Sequence, residues 1–364
     1  MIKSRLLGTT EDYQKYGLKK GTVEPWEDGR RCFATNTALE WWYYDAIMED
    51  GLQIALSYHV RSPLTPTYEG DCPLMHLTMK TADGEQIAKY VPYTVEECSF
   101  SKEGCDVKIG PHFTKGNLRE YKIYVEPIEG YGVDLTLTSQ SASWRPECGY
   151  FVFGDDEDQY FTWLCVVPKG KISGTITFNG VTRDVTGSGY HDHQWTNTSG
   201  VTLWNHWVWG RQHYDDYSLM LFDYIHSAQY GHKRYPLFFI QDKDGKLIFE
   251  NSRTETLKYE YLEEGEPLYG KPHPKVQRYT FEVDGKKAVY TLTAKDVIES
   301  SDRYIRIEDS LKKRMDQMGF YPTYTRYLGE GKLEFTDIDG KTIERTNELI
   351  YEIQYPSKNL KIFD

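Results

Sequence analysis

The chain has 364 residues, of which 39% are hydrophobic and 15% aromatic, and it carries a formal net charge of −12. This acidic charge disfavours nucleic acid and anionic membrane surfaces as partners, because both attract basic patches. The polar segment from Met1 to Gly17 lacks the apolar core of a secretory signal, and no apolar run of about 18 residues could span a bilayer. We therefore expect a cytoplasmic protein without an integral membrane segment, whose oligomeric state the sequence leaves open.

Turn dipeptides divide the first half of the chain into short runs of alternating apolar and polar residues, the pattern of antiparallel hairpins. Asp-Gly or Asn-Gly turns are predicted at 50–51, 83–84 and 179–180, with a further turn between less regular flanks at 28–29. The runs around them predict strands at 41–48, 52–60, 74–80, 86–91, 121–126, 133–138, 160–167, 174–178 and 181–186.

The second half continues in the same style, with Asp-Gly turns at 244–245, 284–285 and 339–340. Strands are predicted at 204–211, 217–226, 237–241, 246–250, 278–283, 288–292, 332–335 and 348–354. One helix is predicted over 306–318, where Ile307, Leu311, Met315 and Met318 share a face, with a loop over a barrel mouth as the alternative. Long meanders close into barrels or sandwiches, so we predict an all-β protein of antiparallel β-barrels or sandwiches with few short helices.

A similarity between two aromatic blocks suggests two related halves. Glu40-Trp41-Trp42-Tyr43, a turn and Ile54-Ala55-Leu56-Ser57-Tyr58 parallel His206-Trp207-Val208-Trp209, a turn and Met220-Leu221-Phe222-Asp223-Tyr224. A true duplication and a chance likeness of two aromatic hairpins explain this pattern equally well. The length suits two domains of ordinary size or one large all-β unit, and we predict two domains, at 1–199 and 200–364.

Ionisable and aromatic side chains are concentrated in the stretch 187–210, and six of the ten histidines lie within 191–232. Alternate residues of a strand share a face. One face is therefore predicted to carry His191, His193 and Trp195, and the other Tyr190, Asp192 and Gln194. Groups that can move protons, set among large rings, make this stretch the first candidate for a site. The alternative is a structural role, in which His193 bonds a carbonyl group and Trp195 packs.

Two carboxyl groups are candidate proton donors. Asp223 lies in a predicted strand on one face with Leu219, Leu221 and Ile225, so burial would raise its pKa, as a general acid requires. A position in water at the end of the strand is the alternative. Glu40 precedes an aromatic run and is a second candidate acid, with a salt bridge at the rim as its alternative. His206 occupies the matching place in the second half, and we expect it to face Glu40 across a domain interface.

Metal and thiol chemistry find less support. Two histidines spaced as His191 and His193, with a third nearby, suit zinc or iron, but the glutamate that cupin metal sites place a few residues later is missing. We therefore predict neither a metal nor a cofactor, and keep metal chemistry as a minor alternative. The six cysteines include no Cys-x-x-Cys pair, so we expect them to be small buried hydrophobic residues. Nucleophile-elbow, Walker and dinucleotide-binding motifs are absent.

Two segments, Leu39-Glu40-Trp41-Trp42-Tyr43-Tyr44 and Gly187-Ser188-Gly189-Tyr190-His191-Asp192-His193-Gln194-Trp195, carry a family resemblance. Together they resemble the carotenoid 1,2-hydratase (hydroxyneurosporene synthase) and AttH-like group, which includes fungal Diels-Alderases that form decalins. The resemblance covers most of the chain in order. It implies two tandem lipocalin-like (calycin-like) β-barrels or sandwiches, with a ligand cavity at or near their junction.

The resemblance also implies site residues. The hydratase pattern is His-x-Trp, followed some thirty residues later by an aspartate two positions after a tyrosine. His193 and Trp195 match the first element, and Asp223 matches the second except that Leu221 replaces the tyrosine. We predict catalytic roles for His193, Asp223 and Glu40. Residues expected to contact the substrate are Trp195, Trp42, Tyr190, His191, His206 and Trp207.

The predicted function is a lyase without a cofactor, a hydratase, dehydratase or cyclase that protonates an isoprenoid or other hydrophobic polyene. Such chemistry needs a proton donor, a dry pocket and aromatic faces that stabilise a carbocation. Two alternatives remain open. One is a pericyclase, in which the cavity folds a polyene into a reactive shape. The other is a lipocalin-like carrier that sequesters a lipid without changing it.

Overall fold

The computed structural model describes residues 2–33, 38–61, 70–198, 202–307, 309–317 and 319–357. Contacts divide the chain into two compact units, Ser4–Ser199 and Gly200–Asp364 together with Met1–Lys3. We call these the N-terminal and the C-terminal unit. Each is built around one antiparallel sheet, and the prediction of an all-β protein with few short helices is confirmed. Among the described residues, neither α-helix has the length and apolar character needed to cross a bilayer.

The sheet of the N-terminal unit contains thirteen strands. They are β1 Ser4–Leu6, β2 Leu39–Met48, β3 Gln53–Arg61, β4 Leu74–Lys80, β5 Gln86–Pro92, β6 Cys98–Phe100, β7 Asp106–Ile109, β8 His112–Gly116, β9 Glu120–Ile128, β10 Tyr131–Ser139, β11 Tyr150–Phe153, β12 Gln159–Phe178 and β13 Val181–Thr196. Helix α1 is Thr10–Tyr16, and short 3-10 helices lie at Pro25–Asp28 and Val95–Glu97. The strand order is β5-β4-β3-β2-β13-β12-β10-β9-β8-β7-β6, and β11 joins β1 to β12.

The sheet of the C-terminal unit contains nine strands. They are β14 Trp204–His213, β15 Tyr217–His226, β16 Arg234–Asp242, β17 Leu247–Asn251, β18 Leu257–Glu264, β19 Pro274–Val283, β20 Lys286–Asp302, β21 Phe320–Thr336 and β22 Thr342–Ser357. Their order is β17-β16-β15-β14-β22-β21-β20-β19-β18. Helix α2, Asp309–Gln317, confirms the predicted helix; Met318 of its predicted apolar face lies outside the described residues. Short 3-10 helices lie at Ala228–Tyr230 and Tyr304–Arg306.

All six predicted hairpin turns are confirmed, because each connects two neighbouring antiparallel strands. Gly51 shows why these dipeptides work: its φ of 84° is a left-handed conformation that costs glycine little. The predicted turn at 28–29 is instead the end of the 3-10 helix Pro25–Asp28.

The prediction differs from the structure in the short and the long strands. Strands β1, β6, β7 and β11 have three or four residues, too few to show an alternating pattern. Strands β8 and β18 were also not predicted. The predicted strands 160–167 and 174–178 are one continuous strand, β12, whose pairing with β13 shifts register between Val167 and Gly170. Such bulges let a long strand bend without ending its ladder of hydrogen bonds.

The two sheets repeat one topology. Strands β2, β3, β4, β5, β8, β9, β10, β12 and β13 occupy, in the same chain order, the places of β14 to β22. In both sheets the first strand of this series pairs with the last, β2 with β13 and β14 with β22. This shared order favours a duplication over a chance likeness of two hairpins.

Residues at matching places in the two sheets differ in chemistry. In the N-terminal sheet, Trp42 of β2 lies opposite His193 of β13. In the C-terminal sheet, Val208 of β14 lies opposite Ile353 of β22. All four side chains are buried. The same register therefore holds an imidazole in one unit and an aliphatic side chain in the other.

Candidate active site

Strand β13 carries the two histidines of the predicted site into the interior of the N-terminal unit. His191 and His193 are both 0% exposed, and both face the carboxyl group of Asp28. Asp192 between them points the other way and accepts a hydrogen bond from the Tyr190 hydroxyl at 2.8 Å. The predicted alternation of faces along this strand is therefore confirmed.

Glu40 is hydrogen-bonded to His193. Its Oε1 lies 3.0 Å from His193 Nε2, and the Glu40 side chain is fully buried. The backbone N–H of Arg31 donates to Oε1 at 2.6 Å, and that of Cys32 donates to Oε2 at 2.9 Å. Burial raises the pKa of Glu40 to about 8, although the two backbone hydrogen bonds act in the opposite direction. Glu40 can thus hold a proton at neutral pH.

The imidazole of His193 lies between two indole rings. Its centroid is 4.5 Å from that of Trp42 in a stacked arrangement and 4.7 Å from that of Trp195. Burial lowers the pKa of His193 to about 3, so the free imidazole is favoured over the imidazolium. The hydrogen bond to Glu40 therefore joins a protonated acid to a neutral base, the arrangement that general acid–base catalysis uses.

Asp28 is a site residue that the sequence did not reveal. It ends a 3-10 helix, and its Oδ2 accepts a hydrogen bond from the Tyr121 hydroxyl at 2.6 Å and lies 3.3 Å from His191 Nε2. Its Oδ1 lies 3.5 Å from His193 Nδ1. The turn-forming Asp-Gly pair gave the only signal at this position, and it pointed to local structure.

His191 is held by backbone and aromatic groups. Its Nδ1 lies 2.9 Å from the carbonyl oxygen of Tyr43. Its ring stacks on Tyr44 with centroids 4.0 Å apart and meets the ring of Tyr121 edge-on at 4.7 Å. Of the predicted substrate contacts, His191, Trp42 and Trp195 thus lie around the His193 and Asp28 side chains.

Tyr190 lies on the opposite face of β13 from the histidines. Its hydroxyl and the indole N–H of Trp163 both donate to Asp192 Oδ2, and the Gln194 amide donates to Oδ1. Burial raises the pKa of Asp192 to about 6. Tyr190 thus belongs to a second buried network, centred on Asp192.

The other predicted site residues belong to the C-terminal unit. His206 is buried, with Nδ1 2.8 Å from Asn205 Oδ1. Trp207 is partly buried, and its indole N–H donates to Glu352 Oε1 at 3.3 Å. The expected proximity of His206 to Glu40 stays a prediction.

Asp223 is fully buried but is not the isolated carboxyl group that the sequence suggested. Arg234 Nε donates to Asp223 Oδ1 at 2.9 Å, and Arg234 Nη2 donates to Oδ2 at 2.5 Å. The Tyr279 hydroxyl adds a third donor at 3.1 Å. Arg234 was missed because it lies on the neighbouring strand β16, whereas the apolar row around Asp223 lies on β15 itself. A bidentate guanidinium is a partner for a carboxylate, not for a proton donor.

One group of buried side chains has the composition of a metal site. Among the described residues, Asp28, Cys105 and His191 each place a ligand-type atom within 4.8 Å of the others. These atoms are already engaged: Asp28 with Tyr121 and His191, and the Cys105 thiol with the Tyr44 hydroxyl at 3.7 Å. The second histidine of the suggested pair, His193, bonds Glu40 instead. We therefore assign these residues to the hydrogen-bonded site.

A small cavity lies beside this site in the N-terminal unit. Its volume is about 10 Å³, room for about one water molecule. Its lining includes Trp26, Arg31, Tyr150, Thr162, Trp163 and Trp195. Because Arg31 binds Glu40 through its backbone and Trp195 contacts His193, this cavity lies next to the acid–base pair. The chamber expected between the two domains stays a prediction.

Comparisons with known proteins agree with this architecture. Residues 133–272 match the family described as Diels-Alderase-like. A sequence comparison with curated proteins gives no significant match. Three solved structures align over nearly the whole chain, at identities that show the fold alone.

The first of these structures is a protein assigned as AttH from Nitrosomonas europaea, with TM-score 0.60 and 15% identity over 94% of this chain and 99% of that chain. CghA, solved with Sch210972, aligns with TM-score 0.61 and 12% identity over 93% and 97%. Kievitone hydratase from Nectria haematococca aligns with TM-score 0.52 and 14% identity over 94% and 100%. The predicted resemblance to AttH-like and Diels-Alderase-related proteins is confirmed.

Proposed function

We propose that the protein is a lyase that protonates a hydrophobic polyene or isoprenoid without a cofactor. The observation that carries this proposal is the buried hydrogen bond of 3.0 Å between Glu40 and His193. The proposal uses only groups of the chain itself: an acid that holds its proton at neutral pH, a neutral base, and the indole of Trp195 beside the small cavity. The cytoplasmic setting and the isoprenoid nature of the substrate belong to this proposal.

In the proposed reaction Glu40 donates its proton to one carbon of a double bond, and the positive charge develops on the other carbon. The indole of Trp195, which lines the neighbouring cavity, stabilises that cation, an interaction worth about 2 kcal/mol when water is excluded. A water molecule then adds to the cation, and its released proton passes through His193 back to the Glu40 carboxylate. Loss of a proton from a neighbouring carbon to His193, in place of water addition, gives an isomerised alkene. If a second double bond of the substrate first attacks the cation, a carbon–carbon bond forms, the charge moves to a new carbon, and loss of a proton there gives a cyclised alkene.

Asp223 and Glu40 are the two carboxyl groups predicted as proton donors. The ion pair between Asp223 and Arg234 supports giving that step to Glu40, and Asp223 keeps a place in the proposal as a group that anchors the C-terminal sheet. The similarity of the fold to that of kievitone hydratase supports water addition as the form of the reaction.

A pericyclase is the second candidate, and the match of residues 133–272 to the Diels-Alderase-like family favours it. CghA shares the fold. In this case the protein brings two ends of a polyene together, and rate follows the shape of the pocket more than the presence of an acid. Removal of the Glu40 proton then changes the rate little.

The deciding experiment incubates the protein with a panel of prenylated phenols and linear polyenes in ¹⁸O-labelled deuterium oxide and follows the products by mass spectrometry. A lyase of the proposed kind gives a product that contains labelled oxygen or is isomerised and contains deuterium from the solvent. The Glu40→Gln variant keeps the shape of the side chain but loses its acid, and we expect turnover to fall by about 10² to 10⁴.

The matched control is Glu96→Gln, which changes an exposed glutamate of the same unit. It should react like the parent protein. Turnover that survives intact in both Glu40→Gln and His193→Gln, with unlabelled product, would replace the lyase with the pericyclase.

A further inference from the structure

We propose that Asp28 is a positioning residue that fixes His193 with its proton on Nδ1 and its lone pair on Nε2, directed at Glu40. This inference rests on the proposed function for the use of the lone pair, but the positioning itself is a property of the resting protein. It adds to the site a residue from outside both aromatic motifs.

Two carboxyl groups face the two ring nitrogens of His193. Asp28 Oδ1 lies 3.5 Å from Nδ1, whereas Glu40 Oε1 lies 3.0 Å from Nε2. A carboxylate oxygen can only accept a hydrogen bond. Asp28 therefore favours a proton on Nδ1, which leaves Nε2 free to accept the proton of Glu40.

Asp28 is itself held as an acceptor. His191 Nδ1 faces the Tyr43 carbonyl oxygen, which has no proton to give, so His191 carries a proton on Nδ1. The Tyr121 hydroxyl donates to Asp28 Oδ2, and His191 Nε2 lies 3.3 Å from the same oxygen. Oδ2 is thus engaged by these two groups, and Oδ1 is left to face His193.

The partners form one continuous row. From Tyr43 they follow as carbonyl, His191, Asp28, His193 and Glu40. While Glu40 keeps its acid proton, His193 Nε2 accepts that proton's hydrogen bond, so a neutral ring carries its only proton on Nδ1, which faces Asp28 Oδ1. A carboxylate that orients a histidine through Nδ1 is a general way to present Nε2 as the working nitrogen. The distance of 3.5 Å is long for a hydrogen bond, as catalytic contacts often are without substrate.

The test is nuclear magnetic resonance of the full chain with ¹⁵N-labelled histidine, which needs no substrate. In the parent protein we expect His193 to show a protonated Nδ1 and an unprotonated Nε2 at neutral pH. In Asp28→Asn the amide presents a donor to one of the two histidines, and we expect the His193 nitrogen shifts to move towards a mixture of tautomers. A parent protein with its His193 proton on Nε2 would overturn the proposal by itself, whatever the variants do.

Two further variants keep the test decisive. Tyr121→Phe removes one donor to Asp28 without removing the carboxylate, so it should move the His191 signals more than those of His193. Asp192→Asn changes the buried carboxylate on the opposite face of β13 and should leave the His193 tautomer unchanged. Equal tautomer shifts in Asp192→Asn and Asp28→Asn would show a general packing effect and overturn the assignment.

The test of His193 positioning can be distinguished from the test of the proposed lyase function. If Asp28→Asn changes the His193 tautomer but Glu40→Gln turns over normally, positioning stands and the lyase proposal fails. If both proposals hold, Asp28→Asn lowers kcat by about 100-fold or more with little change in KM. Zinc found in stoichiometric amount in the purified protein and lost with Cys105→Ser would make Asp28 a metal ligand and overturn the proposal.

Discussion

Glu40 and His193 are 153 positions apart in the chain, yet their side chains meet in one buried hydrogen bond of 3.0 Å. The contact exists because the first long strand of the N-terminal sheet, β2, pairs with its last strand, β13. Glu40 lies opposite Trp195 in this pairing, and Trp42 lies opposite His193, so the acid and the base are diagonal neighbours.

We first predict an opposing pH dependence for these two groups. Glu40 has a pKa of about 8 when folded against 4.5 ordinarily, so between these values the folded protein holds a proton that the unfolded chain has lost, and the free energy of unfolding falls as pH rises. His193 has a pKa of about 3 against 6.5, so between these values the unfolded chain binds the extra proton, and stability rises with pH. The two effects offset each other from 4.5 to 6.5.

The measurement is urea unfolding of the parent protein and Glu40→Gln from pH 6.5 to 8. The fall due to Glu40 amounts to at most about 1.4 kcal/mol per pH unit, and the variant lacks it. The difference between the two proteins should therefore shift in favour of the variant as pH rises, while contributions of all other groups cancel. Parallel curves for the two proteins would contradict a raised pKa at Glu40.

We next predict that the Asp223–Arg234 ion pair is required for the stability of the C-terminal unit. Arg234→Met leaves the fully buried Asp223 carboxylate without its cation, which should cost about 3–5 kcal/mol of unfolding free energy. Adding Asp223→Asn should recover part of that loss, because the uncompensated charge is then gone.

The control for this prediction is Arg345→Met. Arg345 pairs with Asp216 in the same unit, but both side chains are 37% exposed, so its loss should destabilise the unit far less than the loss of Arg234 does. Denaturant unfolding measures all three variants. Similar costs for Arg234→Met and Arg345→Met would mean that water reaches the Asp223 pair.

The third prediction concerns the carbocation. If Trp195 stabilises a cation by about 2 kcal/mol, Trp195→Leu should lower kcat by about 30-fold. Trp195→Phe, which keeps an aromatic face, should lose less. Trp41→Leu, on the alternate face of β2, should leave kcat near that of the parent protein. An equal loss in the leucine and phenylalanine variants would indicate packing and not charge stabilisation.

The fourth prediction concerns the six cysteines, which are all free. Cys72 and Cys98 are partly exposed, whereas the other four are buried. Burial raises the pKa of Cys32 to about 11, which reduces its reactive thiolate about 100-fold relative to an ordinary thiol. Iodoacetamide should therefore modify Cys72 and Cys98 first under native conditions, as mass spectrometry of the intact protein can show. Early modification of Cys32 would reveal opening of the site near Glu40.

Local sequence signals predicted the turns and most of the strands. They did not predict which strands, distant in the chain, pair with one another. The turn at 50–51 defines a hairpin because two residues dictate the backbone there. The alternation of side chains along β13 followed from strand geometry alone. Neither signal states which strand a given strand will meet. The closure of β2 on β13, and of β14 on β22, depends on contacts between distant segments.

The same limit explains what was found of the site and what was missed. Glu40 and His193 were each recognisable as ionisable groups among aromatic residues. Asp28 was not, because its partners His191 and Tyr121 are 163 and 93 positions away. Arg234 was missed for the same reason: Asp223 looked isolated on its own strand, while its cation came from the next one.

His193 and Ile353 occupy matching positions in the two sheets, so the two units can be compared within a single molecule. One architecture has been built twice by the same chain, once with a polar ring at that depth and once with a hydrocarbon. A buried aliphatic side chain needs no hydrogen-bond partner, so stability alone favours isoleucine at this position. A buried imidazole with an acid on each side costs desolvation free energy that the other unit avoids, and a role of this ring in chemistry would explain why it is kept.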